Sequence, residues 1–318
     1  MKEYERRDIL RLFGVGGVTF ASGLLGCAAP GVPDAASPSA ASPEGQSMAM
    51  AGGNPPPPAV EDFFFLQLSD SHWGFSGPPN PEADSTLRST VATINAVTTR
   101  PDFIMFTGDL THTTDDPVVR RTRMKEFKAI VSDLAIKDVR FIPGEHDASI
   151  DGGEAFPEFF GETHYAFQHK GVHFIALDNV SDPGAILGDA QLTWLQGQVA
   201  LVPTTAPLVV FAHRPLFDLF PTWDWATKDG AKAIEILEKH PNVTVFYGHI
   251  HQEHHQQTGR IAHHAARSLI FPLPAPGSVP KKAPLPWDPK SADHGLGYRE
   301  IRQDDGSFSI QEHPFAKV

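Results

Sequence analysis

Beyond residue 60, short apolar runs alternate with stretches in which apolar residues recur every three or four positions. The runs are Phe63–Leu68, Phe103–Phe106, Val139–Ile142, His173–Leu177, Leu208–Phe211 and Val243–Tyr247. Rich in Phe, Val and Ile and bounded by polar turns, they predict buried β-strands. Between the first two, Ala83–Thr98 carries Leu87, Val91, Ile94 and Val97 at helical spacing. Lys125–Leu134, Gln191–Val199 and Gly230–Lys239 predict further helices. Strand, helix, strand is a βαβ unit with a right-handed crossover, so the predicted fold class is α/β. At the end, Gly297–Ile301 and Phe308–Ile310 are joined through Asp304-Asp305-Gly306, a hairpin turn signal. There are no internal repeats.

The residues just past these strand ends share one chemistry. The first run leads into Ser69-Asp70-Ser71-His72, and the second into Thr107-Gly108-Asp109-Leu110-Thr111-His112. The third leads into Pro143-Gly144-Glu145-His146-Asp147. The last two lead into Ala212-His213-Arg214 and Gly248-His249-Ile250-His251. An α/β sheet places its strand ends along one edge, where ligands bind. Carboxylates and imidazoles gathered there describe a site for several metal ions. Asp178-Asn179 also ends a strand and reads as loop structure or as support behind the ligands.

Composition narrows this. The 318 residues include 26 Lys+Arg against 38 Asp+Glu, a net charge of -12, which disfavours a nucleic-acid polymer as partner. A small phosphorylated substrate remains compatible, because metals can supply positive charge. Cys27 is the only cysteine, so neither an internal disulfide nor a thiolate metal site is available. The N-terminus reads as an address. Arg6-Arg7 before a weakly apolar run, Leu12 to Leu25, resembles a twin-arginine export signal, and that run is too short to span a bilayer. Leu24-Leu25-Gly26-Cys27 looks like a bacterial lipobox, which makes residues 1–26 a signal peptide and Cys27 the lipidated start of the mature chain. Residues 27–60, rich in Ala, Pro and Ser and ending in Pro55-Pro56-Pro57-Pro58, then read as a tether. The folded domain is expected over 61–318, exported and held to the periplasmic or outer face of a membrane by its lipid after passage through the twin-arginine machinery.

Taken in order, Asp-x-His, Gly-Asp, Gly-x-His-Asp, His and Gly-His-x-His resemble the calcineurin-like metallophosphoesterase superfamily over roughly Phe63 to His251. Gly297–Ile310 is similar to that family's last strands. The resemblance implies a four-layer α/β/β/α sandwich with two metals, drawn from Fe, Mn and Zn, at its edge. It implies that Asp70, His72 and His251 hold one metal, that His213, His249 and the residue at 145 hold the other, and that Asp109 bridges. It places His146 near the leaving-group oxygen as general acid or stabiliser, oriented by Asp147. The implied reaction is hydrolysis of a phosphomonoester or phosphodiester. Two metals ~3.5–4 Å apart clamp the attacking and leaving oxygens, bound water is acidified to a pKa of about 7, and the hydroxide attacks phosphorus.

The chain departs from the family at two places. Glu145 stands where the family usually has asparagine. Three carboxylates against two divalent ions leave the site near +1 rather than +2, and one unit charge at ~4 Å is ~4 kcal/mol gross at an effective dielectric near 20. A trivalent ion such as Fe(III) would compensate, which favours an iron-containing pair. The alternatives are a harmless variant ligand, or a metal-binding lipoprotein of the same fold with little or no hydrolysis. His112, three residues after Asp109, is aspartate in many cyclic-nucleotide phosphodiesterase-like members, tyrosine in purple acid phosphatases and histidine in the double-strand-break repair nuclease branch. It reads either as a contact to substrate phosphate or as a solvated loop residue. His254, His255, His263 and His264 read mostly as surface histidines, with one lining the pocket. Trp73, Trp223 and Trp225 read as packing under loops or as an aromatic wall, and Arg214 and Arg299 as phosphate partners.

Overall fold

The structure is a computed structural model and describes residues 59–304 and 307–315. The expected signal peptide and nearly all of the expected tether lie outside the described residues. The chain begins β1 (Phe63–Leu68), α1 (Ala83–Ala96), β2 (Phe103–Thr107), α2 (Pro117–Val131), β3 (Val139–Ile142), α3 (Glu145–Ala148) and α4 (Pro157–Phe160). Next come β4 (Tyr165–His169), β5 (Val172–Ala176), α5 (Gly188–Leu201), β6 (Leu208–Phe211), α6 (Gly230–Leu237) and β7 (Val243–Tyr247). Two hairpins complete it: β8 (His254–Thr258) with β9 (Ile261–Ala265), and β10 (Gly297–Asp304) with β11 (Ser307–Pro314).

These strands form two mixed sheets, ordered β11-β10-β1-β2-β3 and β4-β5-β6-β7-β9-β8. β1, β2 and β3 are parallel, as are β5, β6, β7 and β9, while β10 pairs antiparallel with β1 and the edge strands β11, β4 and β8 pair antiparallel with β10, β5 and β9. Both faces of the central strands are buried, which is why they read as continuous apolar runs. Alternation sends Phe63 and Phe65 of β1 into the space between the sheets, with Phe103, Phe174, Phe211 and Phe246. Phe64, Leu66 and Leu68 face the other way, against Leu87, Val91 and Ile94 of α1 and Phe127 and Ile130 of α2. On the opposite side Leu192, Leu195 and Val199 of α5, with Ala233 and Leu237 of α6, cover β6 and β7. Helix, sheet, sheet, helix is the expected four-layer order.

One polar residue interrupts the apolar run of β1. Gln67 is fully buried, and its Nε2 donates to Thr107 Oγ1 (3.0 Å) and to the Tyr247 carbonyl (3.0 Å), joining β1 and β2 of one sheet to β7 of the other. This cross-link lies directly beneath the strand ends that carry the predicted ligands.

The elements differ from expectation where polar residues occupy buried positions. α2 starts at Pro117, not Lys125, capped by the Asp116 carboxylate, which accepts from Val118 N and Val119 N. Arg120 hides this turn from the hydrophobic pattern, because its guanidinium is buried in an ion pair with Asp151 (2.6 Å). The histidine-rich stretch expected at the surface is the hairpin β8–β9. Its buried positions are Ile261, His263 and Ala265, so a histidine occupies a core site of the alternating pattern, and its Nε2 meets Thr258 Oγ1 at 2.7 Å. His255 is exposed as expected, whereas His254 meets the Tyr247 hydroxyl at 3.0 Å.

Candidate metal centre

The predicted ligands leave their strands through strained turns. Asp70 (φ 55°), His72 (42°), Asp109 (49°), His249 (66°) and His251 (53°) all occupy the left-handed region, which is uncommon for non-glycine residues and persists where surrounding bonds enforce it. Those bonds are present. Asp70 N donates to the Gly108 carbonyl (3.0 Å) and His72 N to the Asp109 carbonyl (2.9 Å), so the loops after β1 and β2 are zipped together. His146 N donates to Asp109 Oδ1 (2.9 Å), and His249 N to Asp70 (3.1 and 3.2 Å). Close backbone approach completes the frame, since a Cβ on Gly144 would lie 2.1 Å from both Asp109 N and Asp109 Oδ1. Gly144→Ala is therefore expected to displace Asp109 and to lower stability by about 2 kcal/mol, read as a shift in denaturation midpoint together with a fall in bound metal.

Seven side chains meet as two groups. Asp70, His72 and His251 form one, and Asp109, Glu145, His213 and His249 the other; within each group the donor atoms lie within 4.8 Å of one another. The groups share an edge, because Asp109 Oδ2 is 3.4 Å from His72 Nε2 and 3.4 Å from His213 Nε2. Glu145 reaches His213 Nε2 and His249 Nδ1 at 2.8 Å each. The first sheet supplies Asp70, His72, Asp109 and Glu145, and the second supplies His213, His249 and His251.

The donor set fits metal ions. His213 Nδ1 lies 2.7 Å from the Thr107 carbonyl, and His251 Nδ1 lies 2.7 Å from the Phe271 carbonyl. A carbonyl can only accept, so each ring carries a proton on Nδ1 and turns Nε2 toward the other donors, the arrangement that orients metal-binding histidines. His213 Nε2, His249 Nε2 and Glu145 Oε2 are buried without a hydrogen-bond partner. Buried polar atoms are rarely left so. His213 Nε2 and Glu145 Oε2 face each other at 2.8 Å within the group whose donor atoms could hold one ion.

Electrostatics within the group are strong. Burial pushes the Glu145 carboxyl up, but His249 and His213 outweigh it and hold the group well below the usual carboxylate range. Burial lowers His213, and Asp109 and Glu145 overcome this to raise it well above the usual imidazole value. Burial dominates at His249, whose pKa falls to about 4 despite Glu145. A metal entering this group therefore displaces the His213 proton, so loading is proton-coupled and weakens as pH falls.

Around the centre the other predicted residues divide. His146 packs edge-on against His72 (ring centroids 4.5 Å), and its Nδ1 accepts from Thr113 N at 3.2 Å. His112 lies beside both, its Nδ1 3.3 Å from His72 Nδ1, and burial lowers its pKa to about 4, helped by His146. His72, His112 and His146 also have ring nitrogens within 4.8 Å of one another. The expectation that Asp147 orients His146 is corrected by the geometry. Its carboxylate accepts from Leu110 N, Thr111 N, Thr111 Oγ1 and Gly144 N, none of them in the His146 ring, and so ties the loop after β2 to the loop after β3. Burial raises its pKa to about 6, with Asp109 adding to the shift.

Asn179 is buried behind the ligands. Its Oδ1 accepts from His213 N (3.2 Å), and its Nδ2 donates to the Arg214 carbonyl (2.8 Å), fixing the peptide that carries a predicted ligand. Phe271, which the sequence did not single out, covers the first group, with its ring 5.0 Å from His251 and 5.8 Å from His72. Trp223 and Trp225 are buried in a cluster with Tyr247 and Ile250, so they pack under a loop and form no wall. Arg299 is fully buried, paired with Glu312 (2.6 Å) and bonded to the Ala265 carbonyl, out of reach of substrate.

A two-sheet α/β sandwich with such a centre at its strand ends is that of a metal-dependent phosphoric ester hydrolase. Residues 65–253 match the calcineurin-like phosphoesterase family, and the chain belongs to it. A probable cyclic nucleotide phosphodiesterase of Rhodopseudomonas palustris is 25% identical over 238 residues, covering 68% of this chain and 83% of that protein. A probable glycerophosphodiester phosphodiesterase of Arcobacter nitrofigilis is 26% identical over 164 residues, 48% of this chain and 57% of its own length. Among solved structures, a dimetal phosphatase from Danio rerio superposes with a TM-score of 0.60 at 13% identity, over 81% of this chain and 96% of that one. At that identity the likeness is one of fold.

Proposed function

We propose that the protein hydrolyses a small phosphodiester at a dinuclear centre. The observation that carries this is the Asp109 carboxylate, one oxygen of which lies equidistant from a histidine of each donor group. Asp70, His72 and His251 would hold one ion, Glu145, His213 and His249 the other, and Asp109 both. Such a pair supplies Lewis acidity toward phosphoryl oxygens and an acidified water. The chain's own residues do the rest. The left-handed turns fix donor directions before any ion arrives, and Phe271 excludes water from the first group. His146 accepts at Nδ1, so the proton of its neutral ring sits on Nε2, available to a leaving oxygen. His112, beside it, contacts a phosphate oxygen. The diester preference is supported by relatives named as phosphodiesterases.

Glu145 favours an iron-containing pair in this reading, since its charge is compensated by a trivalent ion. We also propose that the protein is exported by the twin-arginine route and tethered through a lipid on Cys27, on the strength of Arg6-Arg7 and Leu24-Leu25-Gly26-Cys27.

The experiment is hydrolysis of bis(4-nitrophenyl) phosphate beside 4-nitrophenyl phosphate, with metal content measured on the same sample. Faster diester turnover is expected; exclusive monoester turnover would overturn the substrate assignment, and metal-loaded protein inert on both would overturn hydrolysis of simple esters. His146→Gln is expected to slow a methyl aryl phosphodiester with a poor leaving group by about 100-fold and the 4-nitrophenyl diester far less. Equal slowing of both would remove His146 as the acid.

A further inference from the structure

A histidine that binds an ion through one ring nitrogen needs a partner for the proton on the other. His213 and His251 find theirs in the carbonyls of Thr107 and Phe271. His72 is backed differently. Its Nε2 faces the donor group, 3.4 Å from Asp109 Oδ2 and 3.3 Å from His251 Nε2. Among the described residues, what its Nδ1 meets is another imidazole, His112 Nδ1 at 3.3 Å.

The His112 ring is held for this contact. Its backbone N donates to the Trp73 carbonyl (2.9 Å), and its own carbonyl accepts from Arg123 Nη1 (2.7 Å). Trp73 and Thr111 pair in a parallel bridge, which brings residues 72 and 112 side by side. The ring then lies between Phe75, edge-on at 5.1 Å, and His146, stacked at 5.0 Å with 27° between the planes. An ion at His72 Nε2 requires the lone pair of that nitrogen, so the proton of the neutral ring is on Nδ1. Two facing nitrogens bond only when one donates and the other accepts. His112 therefore accepts at Nδ1 and keeps its own proton on Nε2.

We propose that His112 is a positioning residue for the first ion: its Nδ1 accepts from His72 Nδ1, fixes the tautomer and plane of that ring, and so aims His72 Nε2 at the ion. This rests on Asp70, His72 and His251 being a metal site, as the phosphoesterase reading does. It also deepens the role of His112 toward substrate, because accepting at Nδ1 leaves Nε2 as the ring's donor to a phosphate oxygen. One side chain thus links ion and substrate. The ring nitrogens of His72, His112 and His146 lie within 4.8 Å of one another. A third ion there would have to displace the proton that His72 gives to His112, so that group is expected to bind none.

The test is a titration of the full chain with zinc against a competing chelator. His112→Asn places an amide oxygen near the position of Nδ1, whereas His112→Gln places its amide near that of Nε2, so the pair separates the two sides of the ring. Wild type is expected to take about two ions per chain. His112→Gln and His112→Leu should weaken one of the two binding steps by about 10–100-fold, and His112→Asn should keep it within about threefold. The metal-free Asn and Gln variants should share a Tm, so that their difference is read on the ion. Equal losses in Asn and Gln, unchanged affinity in Leu, or a third ion in wild type would overturn the positioning role and leave the phosphoesterase reading intact. Absence of zinc binding by wild type would overturn both.

Discussion

Asp109→Ala is expected to lower turnover by three orders of magnitude or more and to reduce bound metal from about two ions per chain to about one. The size follows from position. Asp109 Oδ2 lies 3.4 Å from both His72 Nε2 and His213 Nε2, and Oδ1 accepts from His146 N. Removing the carboxylate takes a negative donor from both ions, and the amide that positions His146 loses its acceptor. A loss of several kcal/mol of stabilisation at the reacting phosphoryl group corresponds to roughly 10³-fold in rate. Elemental analysis and steady-state kinetics on one preparation decide the matter. Retention of two ions with near-normal turnover would show that the two donor groups work independently. A chelator should lower the wild-type Tm by several degrees, because ions that bind only the folded chain stabilise it by mass action, and the effect should shrink in the variant.

Glu145→Asn is the second large effect, and here identity of the metal changes as well as rate. The Glu145 carboxylate touches His213 and His249 at 2.8 Å, and its charge is held by those same rings. Replacing it with a neutral carbonyl donor raises the net charge of the centre by one, a gross interaction of ~4 kcal/mol at ~4 Å. Protein purified from the same medium should therefore shift from iron-containing to purely divalent pairs, seen by elemental analysis and by loss of any visible iron(III) absorption. Turnover should change by about tenfold or more at a fixed metal, measured after reloading both proteins with Mn. The same ions at the same occupancy in both proteins would mean that Glu145 is an interchangeable ligand with no hold over valence.

Much of the framework was visible in the chain because both faces of its central strands are covered. β1, β2, β6 and β7 carry apolar residues at nearly every position, and periodicity located each of them within a residue. The ligands were visible for the same topological reason: strand ends of an α/β sheet converge, so chemistry repeated there has to meet. What stayed hidden lay where polar side chains occupy interior positions. Arg120 in α2 and His263 in β9 look like surface residues until their partners, Asp151 and Thr258, are known. β4, with half-buried and exposed positions alternating, gave no continuous signal. Asp147 illustrates a different limit. Adjacency to His146 suggested a catalytic pairing, but the turn of α3 directs its carboxylate to backbone amides of another loop. Phe271 sits in an irregular segment with no period to read, and only the folding of that segment over the strand ends brings it to the site.

β1 lies between β2, which comes soon after it in sequence, and β10, which begins at Gly297. The first strand of the domain therefore has an unpaired edge during synthesis until Gly297 and the residues after it have emerged. Native pairing of such distant segments is slow to nucleate, since the loop entropy is lost before the contacts are gained. All the predicted ligands precede residue 252, so they are made before the sheet that aligns four of the seven can close. This topology predicts that the scaffold is locked by its last hairpin before the ions are set. Shortening the chain before β10 would leave every ligand present and no rigid edge to hold them.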